Sequence, residues 1–352
     1  MDNVFDFRNR LINEYSSFSR SFSKVSAQDI LSKVEQEYDR GRYWPEPLIQ
    51  INPNYKRQST VQQLAHEGML HASCSHIFQT GKTEGKAADL HLYVHQLQAL
   101  AKAQKQQSYV VTTGTGSGKS LAFFVPIIDR ILKAKAADPQ KRTRAIVIYP
   151  MNALANSQLE ELDKFLHGYP DDQKPFTVAR YTGHESHADR KQIADNPPDI
   201  LLTNFMMLEL ILTRFEDVDR RVVEHCQGLE FLVLDELHTY RGRQGADVAL
   251  LVRRLRERLQ AHQLVCIGTS ATMSSTGTQA DRNQTVASVA SLLFGAQITE
   301  HDVIGETLER VTNPAKDIEA VKSLLKSVLL KESHHWPDFA AFSGDPLAVW
   351  VE

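Results

Sequence analysis

"VVTTGTGSGKSLAFFVPII", residues 110–128, joins two apolar runs through a glycine-bearing turn that ends in a lysine and a serine. Tyr109, Val110 and Val111 are strand formers, and Leu121 to Ile128 has the length and apolar spacing of a helix. Between them stand Thr113, Gly114, Thr115, Gly116, Ser117, Gly118, Lys119 and Ser120. Glycines let successive backbone N–H groups turn inward around an anion, and the following helix points its positive N-terminus at the same place. The spacing predicts a phosphate cradle in which Lys119 reaches the β- and γ-phosphates of ATP and Ser120 ligates Mg2+. The pattern asks for glycine six residues before the lysine, and this chain has Thr113 there. The strand-to-helix context is the one the mechanism needs, so the substitution is a mild departure.

A cradle alone does not say what the phosphate chemistry drives. "LEFLVLDELHTYRG", 229–242, is an apolar strand that delivers two adjacent carboxylates, Asp235 and Glu236, at its end. Such a pair is costly in a dry site without a cation. Asp235 is expected to hold the magnesium through its water shell, and Glu236 to polarise the attacking water as general base. "CIGTSATM", 266–273, is a further strand, and it ends in small hydroxyl residues. Ser270 and Thr272 can hydrogen-bond near the carboxylates and report the phosphate state.

Around these motifs the chain alternates. Candidate strands lie at 109–113, 144–149, 177–181, 199–203, 229–235 and 264–269, with helical patterns at 119–133, 151–166, 205–214 and 245–260. The alternation predicts a parallel sheet covered by helices on both faces, an α/β fold whose ligands sit at the carboxyl ends of the strands. Before it, residues 1–40 read as helical. Phe7, Leu11, Tyr15, Phe18 and Phe22 form a stripe expected to pack on the protein's own core. Three prolines break the pattern within 43–55, a short Ser- or Thr-capped helix is expected in 59–70, and polar "TGKTEGKAAD" (80–89) suggests a boundary. The expected divisions are 1–87, 88–312 and 313–352.

Bulk properties say less. The 352 residues carry a net charge of −3, so no global basic field announces a nucleic acid. The three cysteines lack metal spacing and read as inert thiols of a reducing compartment. No apolar run reaches membrane length and no signal-peptide core is visible, so a cytoplasmic protein with no membrane partner is expected.

The order P-loop, Asp-Glu-Leu-His, Ser-Ala-Thr resembles a superfamily 2 helicase of the DExH type. Further motifs follow the same pattern. "LYVHQLQAL" (92–100) resembles the glutamine motif, which implies that Gln96 reads the adenine edge. "YPMNALANSQ" (149–158), "YTGH" (181–184) and "TNFMMLE" (203–209) resemble the three motifs that hold a single-stranded backbone. The likeness implies a first RecA-like domain over 90–312. It also implies a track lined by Pro150, Met151, Asn152, Thr182, Gly183, Thr203 and Asn204, and a histidine, His238, that couples the nucleotide to a moving partner domain. "DELHTYRGRQGADVALLVRRL" and "DVIGETLERVT" narrow the likeness to large bacterial helicases of the mitomycin-repair and anti-phage (DISARM, Druantia) types. Those proteins carry a second RecA-like domain, so this chain is expected to be the N-terminal portion of a larger motor. Single-stranded DNA and protein partners of a repair or defence system are implied with it. Backbone contacts leave RNA open, and translocation along duplex DNA or a nucleotide-gated assembly role remain rival readings.

Softer signals point elsewhere. The arginines of "RRLRERL" (253–259) are expected on a solvated helix face, since Val248, Leu251, Val252, Leu255 and Leu259 share the opposite one. Arg241 and Arg243 suit either nucleic acid or a second domain. "SHHW" (333–336) reads as surface histidine rather than a zinc site.

Overall fold

The computed structural model describes residues 4–22, 25–41, 44, 54–114, 116–271, 278–313, 318–330 and 336–352. They fall into two compact units, divided between Pro53 and Asn54. In the first, helices α1 (Val4–Ser21) and α2 (Gln28–Asp39) meet where Arg20 lies over the Tyr38 ring and 3.4 Å from Asp39. The aromatic stripe of α1 differs from expectation. Phe7, Leu11, Tyr15, Phe18 and Phe22 are all at least 43% exposed. Phe18 and Phe22 meet each other edge-on.

The first helix of the second unit is α3 (Val61–His66). Thr60 caps it in a reciprocal box with Gln63, as the hydroxyl in that stretch leads one to expect. Residues before 88 share a core with residues after it. Val61, Leu64, Leu70, Cys74, Ile77 and Phe78 are buried in the same hydrophobic cluster as the P-loop strand. Within the polar 80–89 stretch, Lys82 donates to the carbonyl of Phe165 at 2.8 Å. Lys82 thus ties this polar stretch to backbone elsewhere in the unit.

Next come α4 (Val94–Gln104), β1 (Tyr109–Thr112), α5 (Leu121–Ala137), β2 (Ala145–Tyr149), α6 (Asn152–Leu166), β3 (Val178–Tyr181) and α7 (His187–Asp195). They are followed by β4 (Ile200–Asn204), α8 (Phe205–Thr213), α9 (Asp217–His225), β5 (Phe231–Leu234), α10 (Gly242–Arg258), β6 (Val265–Ser270), α11 (Gln279–Phe294) and β7 (Val303–Gly305). The seven strands form one parallel sheet in the order β7-β1-β6-β5-β2-β4-β3. Each expected strand is present within a residue or two of its expected ends.

The sequence dictates the layering through period-two alternation. Tyr109, Val111, Val147, Ile200, Leu202, Val233 and Ile267 enter the cluster shared with α4, α5 and α6. Val110, Ile146, Ile148, Leu201, Leu232, Leu234 and Cys266 enter the cluster shared with α8, α10 and α11. Both faces are therefore dry, which is why the strands read as continuous apolar runs. Pro126 inside α5 cannot supply the N–H that Ala122's carbonyl would accept. The hydroxyl of buried Tyr109 donates to that carbonyl instead, at 2.8 Å, and so ties the helix to the P-loop strand. The three cysteines are buried and unpaired, and burial pushes Cys74 and Cys226 up to about 12 and Cys266 to about 11, so they are inert at neutral pH.

Candidate ATP and nucleic-acid site

The P-loop, the Asp-Glu-Leu-His and Ser-Ala-Thr motifs and the three track motifs all lie at the carboxyl ends of sheet strands. The P-loop leaves β1, its neighbour β6 ends at Ser270, and β5 beside it delivers Asp235 and Glu236. The other half of the same edge carries Pro150 to Asn152 after β2, Asn204 closing β4, and Thr182 with Gly183 after β3. Thr115 and Thr272 lie outside the described residues, as do Ser333, His334 and His335.

The loop is held in a cradle's shape by its own side chains. Thr113, standing where the pattern has glycine, shares a 2.6 Å hydrogen bond with the Ser117 hydroxyl. Lys119 Nζ donates to Thr113's carbonyl at 3.3 Å. Gly116 and Gly118 both take positive φ, and a Cβ on Gly116 would meet nothing within 4 Å. Ser120, at the N-terminus of α5, makes no side-chain capping bond there, so its hydroxyl is not committed to the helix.

Gln96 is buried, and its amide bridges two elements. Its Oε1 accepts Tyr93 N at 2.8 Å and its Nε2 donates to Gly118's carbonyl at 2.9 Å. Its neighbour His95 is a residue the sequence reading passed over. The ring Nε2 sits 2.9 Å from Ser117's carbonyl, the ring stacks on Tyr93, and Nδ1 is buried without a partner. Burial holds this imidazole below its ordinary range, hence neutral, and able to donate through Nε2. Glu306, just beyond β7, accepts Gly114 N at 2.8 Å. Its distance in sequence from the P-loop hid it.

The carboxylate pair is set by one threonine. Thr269 Oγ1 donates to Asp235 and accepts Glu236 N at 3.1 Å. Thr269 directly precedes the Ser-Ala-Thr triplet, and its position at a strand end was the signal that could have found it. Burial raises the Asp235 carboxyl above the ordinary carboxylate range, the Thr269 bond opposes this, and the Glu236 charge adds to it. Glu236 has the left-handed backbone, φ 54° and ψ 57°, which turns the chain sharply after the strand. Its Oε2 is buried with no hydrogen-bond donor aligned on it, although His238 Nδ1 lies 3.2 Å away. The same Nδ1 is 3.3 Å from Ser270 Oγ, so His238 stands between the acid pair and the Ser-Ala-Thr strand. Two more buried hydroxyls, on Tyr149 and Tyr240, have no partner and feel the Asp235 charge. A half-buried acidic pair, an unbonded carboxylate oxygen, an open glycine cradle and a lysine parked on its own loop together fit a phosphate-bound divalent cation.

The track residues divide into two groups. Met151 heads α6 without a side-chain cap, so the helix's first amides face outward beside the Asn152 side chain. Asn204 Nδ2 donates to Asn152 Oδ1 at 2.7 Å, which locks the tips of β2 and β4 together. Thr182 and Gly183 point their polar groups inward: Glu185 accepts Thr182 N at 2.7 Å, Thr182 Oγ1 at 3.0 Å and Gly183 N at 2.8 Å. Arg180 completes that nest at 2.7 Å, and these donors hold the Glu185 carboxyl below its ordinary range despite burial. Thr203 is fully buried and donates to Tyr181's carbonyl at 2.6 Å. These three positions shape the edge from within. The arginines of α10 also do more than face water: Arg253 donates to Leu292's carbonyl and Arg256 to Gly295's, clamping α10 to the end of α11.

The model of the DEAD/DEAH box helicases matches residues 93–280, more than half of the chain. The chain belongs to the DEAD/DEAH box helicase family. Among curated relatives of this helicase chain, an uncharacterized ATP-dependent helicase, YprA, of Bacillus subtilis is 34% identical over 186 residues. That match covers 52% of this chain and 23% of YprA. The Druantia protein DruE of Escherichia coli is 26% identical over 52% of this chain and 16% of its own length. A crystal structure of the DUF1998 helicase MrfA bound to DNA superposes with a TM-score of 0.54 at 25% identity, covering 72% of this chain and 29% of that one. The helicase domain described here therefore spans about a quarter of such relatives. Among the described residues no helix is long and apolar enough to cross a membrane, and no group of three or more His, Cys, Asp and Glu side chains is arranged to hold a metal ion.

Proposed function

We propose that residues 88–312 are the first RecA-like domain of an ATP-dependent DNA helicase or translocase, a cytoplasmic repair or defence motor. Residues 1–87 would precede it, and 313–352 would begin a further helical region. The observation that carries this reading is the shared strand edge. Nucleotide-type groups occupy β1, β6 and β5, track-type groups occupy β2, β4 and β3, and β5 and β2 are hydrogen-bonded neighbours. A change at Asp235–His238 is thus one strand away from Pro150–Asn152.

In this reading Lys119 exchanges Thr113's carbonyl for the β- and γ-phosphates, and the amides of Gly116 to Ser120 close around them. Gln96 keeps the loop in register and reads the adenine edge. Ser120 and Asp235 would hold Mg2+, which when bound would neutralise charge on the transferring phosphoryl group. Glu236 accepts a proton from the attacking water at its unbonded oxygen, and His238, Ser270 and Thr272 relay the phosphate state. An arginine from a second RecA-like domain completes the site, a contribution worth roughly 10³–10⁵ in rate in related phosphoryl transfer. Single-stranded DNA lies across the amides at the head of α6. The MrfA structure with DNA supports DNA as the track.

Lys119→Ala and Glu236→Gln test the separation of roles. Lysine loss should weaken ATP binding by at least about 10-fold, since a charge-assisted contact to phosphate disappears. Glu236→Gln should leave binding within about 2-fold and slow single-turnover hydrolysis by about 100-fold or more, the usual worth of a general base. Equal hydrolysis by wild type and Glu236→Gln would remove Glu236 from this role.

A further inference from the structure

The end of the sheet opposite the P-loop holds a second polar cluster that the ATP chemistry does not use. Arg142 and Arg144 lead into β2, Glu230 leads into β5, and Arg130 projects from α5. All three guanidiniums converge on the one carboxylate: Arg130 Nε and Arg144 Nη1 each at 2.6 Å, Arg142 Nη2 at 3.3 Å. Arg144 is 2% exposed. When Glu230 has been shared out, Arg144 Nη2 and Arg142 Nε remain buried without an acceptor. The terminal nitrogens of Arg130, on a half-exposed side chain, are likewise uncommitted.

Beside this cluster lies a cavity of about 800 Å³, walled by Arg130, Arg142, Lys133, Pro126, Phe231 and Val265. That volume is typical of small-ligand sites. The wall's other carboxylate, Asp129, is already spent. Its Oδ1 accepts His71 N at 2.6 Å and its Oδ2 accepts Lys133 Nζ at 2.8 Å. The cavity is therefore rich in donors, with three cations (Arg130, Lys133, Arg142) set against two carboxylates (Asp129, Glu230), and floored by apolar side chains. Partly buried cations in excess of their anions attract an oxyanion, and an incoming one would also reach the donors that Glu230 leaves over. Guanidinium forks match carboxylate and phosphate oxygens in pairs.

We propose that this cavity binds a small amphipathic oxyanion, a phosphate or carboxylate group carried on an aromatic or aliphatic body, independently of the P-loop. The charged head would meet Arg130 and Arg142, and the body would lie on Pro126, Phe231 and Val265. Phenyl phosphate is a suitable test ligand, with inorganic phosphate and phenol as its two halves. The titration is run by calorimetry on the Lys119→Ala protein, so that the P-loop does not compete. Phenyl phosphate should bind with one-to-one stoichiometry and at least about 5-fold more tightly than inorganic phosphate, roughly the worth of part of a buried ring. Phenol should not bind. Arg130→Gln, at a half-exposed position where folding is safe, should weaken phenyl phosphate about 10-fold. Arg142→Gln, checked for an intact melting transition, should do the same. Absence of binding at about 10 mM phenyl phosphate, or binding that both variants leave unchanged, overturns the site. Equal affinity for phosphate and phenyl phosphate overturns its amphipathic character.

Discussion

At the scale of single residues, burial sets the charge balance of the candidate site. Asp235 is held between Thr269 and Glu236 in a largely dry setting, and burial raises its carboxyl above the ordinary range. A carboxyl whose folded-state value exceeds its unfolded one contributes stability that is fully present below about pH 4, the unfolded value, and is lost as pH rises through the folded value. At neutral pH the ionised Asp235 thus opposes folding of the metal-free protein. Asp235→Asn keeps an oxygen for Thr269 and removes the charge. It should raise the Tm at pH 7.5 by roughly 2 °C, or about 1 kcal/mol for a chain of this size. The gain should shrink at pH 5, while magnesium-dependent stabilisation by ATP is lost. Calorimetric scans at the two pH values check it, and a variant less stable than wild type at pH 7.5 would contradict the sign.

At the scale of elements, the sequence was legible wherever one physical rule dominated. Strands buried on both faces must be apolar throughout, so β1, β2, β4 and β5 announce themselves, and Lys119, Ser120, Asp235 and Glu236 follow from strand ends. What was hidden depends on contacts between distant segments. Glu306 reaches Gly114 across the sheet edge, Glu185 fills the nest that a phosphate was expected to occupy, and the three-residue β7 carries too little pattern to be seen. Gly268 is another such case, a glycine in β6 that reads as a mere weakness in a strand. A Cβ there would stand 2.3 Å from Leu237 Cδ1 and 3.1 Å from Phe294 Cζ. Leu237 opens the turn Leu237–Thr239 that carries His238. Gly268→Ala should therefore cost about 1–3 kcal/mol by overpacking and slow hydrolysis more than it weakens nucleotide binding. Gly305→Ala, in the edge strand β7 where a Cβ meets nothing within 4 Å, should stay within about 0.5 kcal/mol. Urea unfolding of both variants decides it, and equal midpoints would show that Leu237 yields freely.

At the scale of the whole molecule, a chain of net charge −3 proposed to hold a polyanion must do so through local donors. The head of α6 offers backbone amides, the Asn152 side chain and the positive end of a helix dipole, and its groups carry no formal charge. Few counterions would be released from the strand, whose salt slope gains only about −0.7 for each phosphate neutralised by a cation. Single-strand affinity should then fall gently with salt and vary little with base sequence, because these donors suit phosphate oxygens and not base edges. Asn152→Asp isolates this contact. A carboxylate in the first turn favours the helix and does not harm folding. The same carboxylate repels a phosphate placed on those amides. The variant should melt no lower than wild type, bind ATP within about 2-fold, and bind a single-stranded oligonucleotide at least about 10-fold more weakly at low ionic strength, a loss of about 1.4 kcal/mol. The gap should narrow as salt screens the new charge. Fluorescence anisotropy with two unrelated oligonucleotides across a salt series measures the strand affinity and its salt and sequence dependence, and a melting scan and an ATP titration check the other two. An affinity indifferent to Asn152→Asp would move the track off the head of α6.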